Sequence, residues 1–148
     1  MFIGKEFVMV LGSIIMLSIG LRPGAAEIYG KVATLAFYVV MILIYILFEI
    51  VVVNYRPVLI EERLEASYPS STTLLVMSVM SATILQVIDR IQNKWFKVLT
   101  VVLICVFVIF MVIGRLISGV HWLSDIIGGA LLSASLVSAY CFASKHFD

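Results

Sequence analysis

From Val32 to Val53 the chain reads VATLAFYVVMILIYILFEIVVV, and Glu49 is the one charged residue in that run. A transmembrane helix needs about 20 mostly apolar residues, because backbone amides in hydrocarbon must be satisfied within the segment. Four further stretches have the same character: Phe7–Leu21, Thr72–Ile88, Phe96–Ile113 and Ile126–Phe142. The first is short, and Arg22-Pro23-Gly24 ends it. Composition agrees. Of 148 residues, 63% are hydrophobic and 13% charged, and the mean hydropathy is +1.17. A soluble domain is nearer about half apolar and about a quarter charged. A soluble enzyme, a disordered chain and a nucleic-acid-binding protein are therefore disfavoured. The net charge of +1 supplies no bulk attraction for a polyanion.

The expected fold is all-α: a single integral-membrane helical bundle over residues 1–148, with about five transmembrane helices. Strands are disfavoured because the runs lack polar/apolar alternation. A cleaved signal peptide is the competing reading of Phe7–Leu21, with Lys5 ahead of it and Gly24, Ala25 and Ala26 behind. Glu6 cancels Lys5, and a retained helix suits the loop charges better. Cys105 and Cys141 form no CxxC pair and sit in apolar runs, so they read as small packing residues. The last segment carries Ala130, Ala134 and Ser138 at four-residue spacing, beside Gly129 and Ser133, a face suited to close helix packing.

The connections are Arg22–Lys31, Asn54–Ser71, Asp89–Trp95 and Gly114–Asp125. The second and fourth, with the N-terminus, carry Lys5, Arg56, Arg63 and Arg115; the opposite side carries Arg22, Lys31, Arg90, Lys94, Lys97 and Lys145. Short basic loops stay in the cytoplasm. The expected placement is thus in the cell membrane, with Asn54–Ser71 and Gly114–Asp125 extracytoplasmic and the C-terminus cytoplasmic. Trp95 between Lys94 and Lys97 reads as an interfacial anchor.

Polar residues that need a reason collect on the extracytoplasmic side. Arg56-Pro57 is expected to end the second helix, since proline biases its predecessor toward extended backbone. Tyr68-Pro69-Ser70-Ser71-Thr72 precedes the third. Hydroxyls and free amides at a helix start suit an anion, although ordinary N-capping is the favoured reading of this feature alone. His121 and Asp125 are four apart and share a face if helical. A carboxylate that fixes one imidazole nitrogen frees the other as nucleophile or base. Two arginines and a hydroxyl-rich helix start would hold a phosphate. The reaction these parts suggest is phosphoryl transfer through a phosphohistidine, with no required metal.

At these residues the sequence resembles the type 2 phosphatidic acid phosphatase (PAP2) family of membrane lipid phosphatases. Arg115, five residues, His121, three residues and Asp125 reproduce the spacing of the family's third block. Arg56-Pro57 matches the end of its first block, and Pro69-Ser70-Ser71 the start of its second. The resemblance covers roughly Val32 to the C-terminus. It implies a membrane lipid phosphate or diphosphate phosphatase without a cofactor, working in the bilayer on a lipid phosphate or polyprenyl diphosphate. It implies no nucleic-acid partner, and a homo-oligomer is compatible with it. His121 would be the nucleophile and Asp125 its orienter. Arg56 and Arg115 would bind phosphate, assisted by Ser70 and the backbone near Ser71. The family bundle has six helices, so one family helix is missing from the expected five.

Three positions depart from the family pattern. Gly114 stands where the third block has serine, Glu49 where the first has lysine, and Thr72 where the second has histidine. Glu49, seven residues before Arg56, is expected two helical turns deeper, about 10 Å along the axis. As a carboxylate it would repel phosphate, so it is expected either to be protonated or to pair with Arg56 or Arg115. Thr72 is a poor general acid at neutral pH. An alkoxide needs a proton on leaving, whereas phosphate, with a second pKa near about 6, needs it far less. The expectation is a preference for diphosphate lipids over phosphate monoesters. The alternative is a catalytically inactive protein of the same fold that binds a lipid phosphate headgroup or a membrane partner. A small transporter or assembly subunit is a third and weaker reading.

Overall fold

A computed structural model describes residues 25–58 and 65–146. The segment Phe7–Leu21, and with it the expected first helix, lies outside the described residues, as does Arg63. Four helices follow in order: α1 Ala25–Ile50, α2 Ser71–Arg90, α3 Lys94–Ile117 and α4 Leu123–His146. Each includes a stretch long and apolar enough to cross a membrane. Among the described residues there is no strand, only an isolated antiparallel bridge between Tyr55 and Ala66.

The helices begin and end where local chemistry dictates. Α1 stops at Ile50, ahead of the β-branched run Val51-Val52-Val53, whose stiff χ1 angles favour extended backbone. Asn93 caps α3, its side chain accepting from the amides of Trp95 (3.1 Å) and Phe96 (3.2 Å). Lys97 reaches back and donates to the Ile88 carbonyl at 2.7 Å, satisfying one of the last acceptors of α2. Α3 ends through Ser118 into Gly119, whose φ of +62° is the left-handed conformation glycine adopts without penalty.

The expected boundaries were short at most ends, and this matters for the site. Α1 ends before Arg56, so Arg56-Pro57 does not terminate a helix. Α3 runs to Ile117, so Gly114 and Arg115 lie in its last turn rather than in a loop. Α4 starts at Leu123, so His121 precedes the helix that carries Asp125.

Α2 is the central helix: 67% of its span is buried, against 0% of α3's. One face of α2, with Leu74, Leu75 and Val79, packs on Leu136 and Tyr140 of α4 and on Phe37 and Met41 of α1. The other, with Val76 and Met80, meets Ile104, Phe107 and Met111 of α3. Gln86 donates to the Tyr140 hydroxyl at 2.8 Å, which lies 3.3 Å from Thr34 Oγ1, so one polar chain joins three helices. Away from that contact α3 exposes apolar residues, among them Phe96, Leu103 and Phe110. In water such a helix would be unstable; in lipid it needs no cover.

The packing face of α4 is rotated from the sequence expectation. Gly129 and Ser133 are buried, whereas Ala134 and Ser138 are exposed. A Cβ on Gly129 would lie 3.0 Å from the Ser70 carbonyl and 3.2 Å from Thr73 Cβ, so glycine is what lets α4 reach the start of α2. Cys105 and Cys141 form no disulfide, and Cys105 faces outward on α3 rather than packing within the chain.

Candidate functional site

The site is assembled at the end of the bundle where α1 leaves, α2 begins and α3 hands over to α4. Two stretches of connecting chain lie side by side there. The Arg56 amide donates to the Glu65 carbonyl at 3.2 Å, and the Ser67 amide to the Asn54 carbonyl at 2.8 Å. Trp122 ties this pair to α4 by donating its indole N–H to the Tyr55 carbonyl at 3.0 Å. The Ser70 amide donates to the Asp125 carbonyl at 2.9 Å. Between these ties lies a cavity of about 400 Å³. Tyr45, Phe48 and Glu49 of α1 line it, with Arg56, Glu65, Ser67, Tyr68, Ser71 and His121.

Asp125 is fully buried and occupies the third position of α4. It accepts from the Trp122 amide at 2.9 Å, the backward half of a capping box. Its negative charge also suits the positive end of the helix. The same oxygen accepts a short hydrogen bond from the Ser67 hydroxyl. His121 Nδ1 stands 3.8 Å from that oxygen, outside hydrogen-bond reach. It lies instead 3.1 Å from the Ser67 carbonyl and 3.3 Å from the Ser67 hydroxyl. His121 and Asp125 are therefore neighbours across a helix start, with Ser67 between them, and do not share a helical face.

A carbonyl can only accept, so Nδ1 carries the proton and Nε2 the lone pair. Nε2 is buried and has no hydrogen-bond partner among the described residues. Burial lowers the His121 pKa from 6.5 to about 4, and the Arg56 and Arg115 guanidiniums push the same way, against Asp125 and the Ser67 carbonyl. The ring is thus neutral at ordinary pH. A neutral imidazole with a free lone pair is a competent nucleophile.

The two arginines reach the site by different routes. Arg56 borders the cavity, its Nε 3.2 Å from Glu65 Oε2. Arg115, in the last turn of α3, donates to Thr72 Oγ1. Thr72 is buried by that contact, and Ser71 lines the cavity. Ser70 lies behind them, fully buried and accepting from Thr73 at 3.1 Å. Glu49 pairs with neither arginine, since Glu65 holds one and Thr72 the other. Nothing occupies the space beside Gly114.

Sequence reasoning missed Ser67 and Glu65. Ser67 stands just ahead of the Tyr68-Pro69-Ser70-Ser71 run, so extending that hydroxyl block by one turn of chain would have included it. Glu65 carried no signal beyond being an acid in a loop with Arg56.

No curated protein and no solved structure matches the chain at a significant level. A family model described as the PAP2 superfamily matches residues 9–147. With nearly the whole length matched and the helical membrane architecture described above, the chain belongs to the PAP2 superfamily, a family of phosphatase type.

Proposed function

We propose that this protein is a membrane lipid phosphatase that works through a phosphohistidine on His121. The observation that carries the reading is the partnerless Nε2 of a neutral, buried imidazole at a cavity bordered by Arg56 and Ser71. Nε2 donates its lone pair to phosphorus, the phosphorus–oxygen bond to the leaving group breaks, and that oxygen keeps the electron pair. The Nδ1 proton stays where it is. Water then attacks the phosphohistidine, releasing inorganic phosphate and restoring the ring. Arg56 and Arg115 stabilise the charge on the transferring group.

Thr72, which accepts from Arg115, is an aliphatic hydroxyl and a poor general acid at neutral pH, so it does not serve an alkoxide leaving group. The substrates that fit are those whose leaving group needs no proton: diphosphate lipids, such as polyprenyl diphosphates, ahead of phosphate monoesters. The site opens on the extracytoplasmic side of the cell membrane, and the C-terminus is cytoplasmic.

Phosphate release by purified protein in detergent, from a polyprenyl diphosphate and from phosphatidic acid, tests the reading. Release faster from the diphosphate, abolished by His121→Ala, is expected. Faster release from phosphatidic acid overturns the preference.

The second reading, a headgroup-binding protein without turnover, draws on Glu49 in the cavity and on Glu65 holding Arg56. Both carboxylates oppose an incoming phosphate. Under that reading the purified protein retains a lipid phosphate, acquires no acid-labile phosphoryl label on His121 and releases no phosphate.

A further inference from the structure

We propose that Ser67 is the positioning residue through which Asp125 acts on His121, so that the working unit is a His–Ser–Asp relay of hydrogen bonds rather than a direct His–Asp pair. The proposal rests on His121 as the nucleophile.

Three distances carry it. Asp125 Oδ2 is 3.8 Å from Nδ1, whereas the Ser67 carbonyl and hydroxyl are at 3.1 and 3.3 Å. The hydroxyl proton is committed to Asp125 Oδ2, so the hydroxyl oxygen faces Nδ1 as an acceptor. Nδ1–H is thereby shared between two oxygens of one residue. Ser67 is 1% exposed and Asp125 0%, so water does not compete for either contact. The serine is itself fixed by its amide, which donates to the Asn54 carbonyl at 2.8 Å.

This arrangement does two things. It holds the tautomer that leaves Nε2 unprotonated. It also passes the aspartate charge to the ring when phosphorylation makes it cationic: the carboxylate polarises the hydroxyl, and the hydroxyl oxygen becomes a better acceptor for Nδ1–H. No proton need leave Nδ1. Asp125 also holds the Trp122 amide, so the helix start and the ring are set by one carboxylate.

Ser67→Ala keeps the carbonyl and removes the hydroxyl. Loss of an outer hydrogen-bonding partner of this kind costs about 10- to 100-fold. The expected result is a fall of that size in kcat with little change in KM, and recovery in Ser67→Thr. Asp125→Asn should lower kcat in the wild-type background and add little in the Ser67→Ala background, because residues that act in series are not additive. Full-sized losses that multiply, or an unchanged kcat in Ser67→Ala, overturn the relay.

A readout that needs no turnover keeps the two ideas apart. The chain has two histidines, so ¹⁵N-histidine labelling of the full-length protein with His146→Gln isolates His121. Wild type should show the Nδ1–H tautomer, Ser67→Ala a several-fold larger Nε2–H fraction, and Ser67→Thr the wild-type pattern. Identical ring shifts in wild type and Ser67→Ala overturn the relay even in a protein that hydrolyses lipid phosphates. The expected shifts in a protein that releases no phosphate would instead leave the relay intact and remove its catalytic purpose.

Discussion

At the scale of single residues, the site is a set of charges whose balance decides whether phosphate enters. His121 contributes none, because burial and two guanidiniums hold its pKa near 4. The folded value is below the unfolded one of about 6.5, so the neutral ring is retained as pH falls and protonates only near 4. The stability tied to that ring is complete above about 6.5 and is lost between there and about 4. At pH 5.5 an ordinary histidine would be roughly nine-tenths protonated, yet this one is almost wholly neutral. The enzymic limb of kcat/KM should therefore fall near pH 4. The limb in kcat should lie higher, since a bound anion stabilises imidazolium. A kcat/KM limb near 6.5 that is absent from the substrate's own titration would contradict the geometry. Glu49 lines the same cavity and forms no ion pair with another described residue. It is exposed, and exposed charge pairs are worth about 0.2–1 kcal/mol. Glu49→Gln should lower KM for a lipid diphosphate about two- to fivefold, more at low salt than at high, as a salt series of initial rates would reveal. An unchanged KM at every ionic strength would remove Glu49 from the site.

At the scale of elements, the helices were legible because apolar runs of this length have one solution in lipid, and their ends were not. Periodicity and composition see the hydrocarbon part of a helix. They do not see the extra turns that run past it, such as Gly114 to Ile117 at the end of α3. Those turns change the chemistry: Arg115 is carried by a rigid helix, and Asp125 acts as an N-terminal cap. The motif spacing placed His121 and Asp125 near each other, but not the intervening Ser67, because that contact joins positions 54 apart in sequence and depends on the loop bridge at Tyr55 and Ala66. The packing face of α4 was misread for a related reason. Small residues occupy several faces of the helix, and only contact with α2 selects Gly129 and Ser133. Gly129→Val should then destabilise the protein by about 1–3 kcal/mol, the usual cost of overpacking, and displace Ser70 and the site. Ala134→Val, on an exposed face, should be near neutral. Thermal unfolding in detergent monitored with both variants checks this, and equal losses would return the packing seam to Ala134.

At the scale of the whole molecule, the bundle brings Arg56, Glu65, His121 and Asp125 together at one end and exposes an apolar flank on α3. Α2 is sheltered by its neighbours and begins at the site, while α3, which packs only one face on α2, delivers Arg115 to Thr72. Under the proposed function, a phosphate group on a lipid would meet the cavity from the membrane surface without leaving the bilayer plane. Which surface that is depends on charge: Arg90, Lys94 and Lys97 cluster at the opposite end, around the α2–α3 turn. Basic short loops are retained in the cytoplasm, so that turn should be inside and the site outside. Single cysteines introduced into a Cys105→Ser, Cys141→Ser background read the outcome directly. A cysteine at Ser118 should react with a membrane-impermeant maleimide in intact cells, and one at Gln92 only after permeabilisation. The reverse pattern would place phosphate release in the cytoplasm, and the lysines and arginine of the α2–α3 turn would then owe their clustering to something other than insertion. Labelling at both positions in intact cells would mean that the chain inserts in two orientations, as a net charge of only +1 allows when the bias between the two ends is weak.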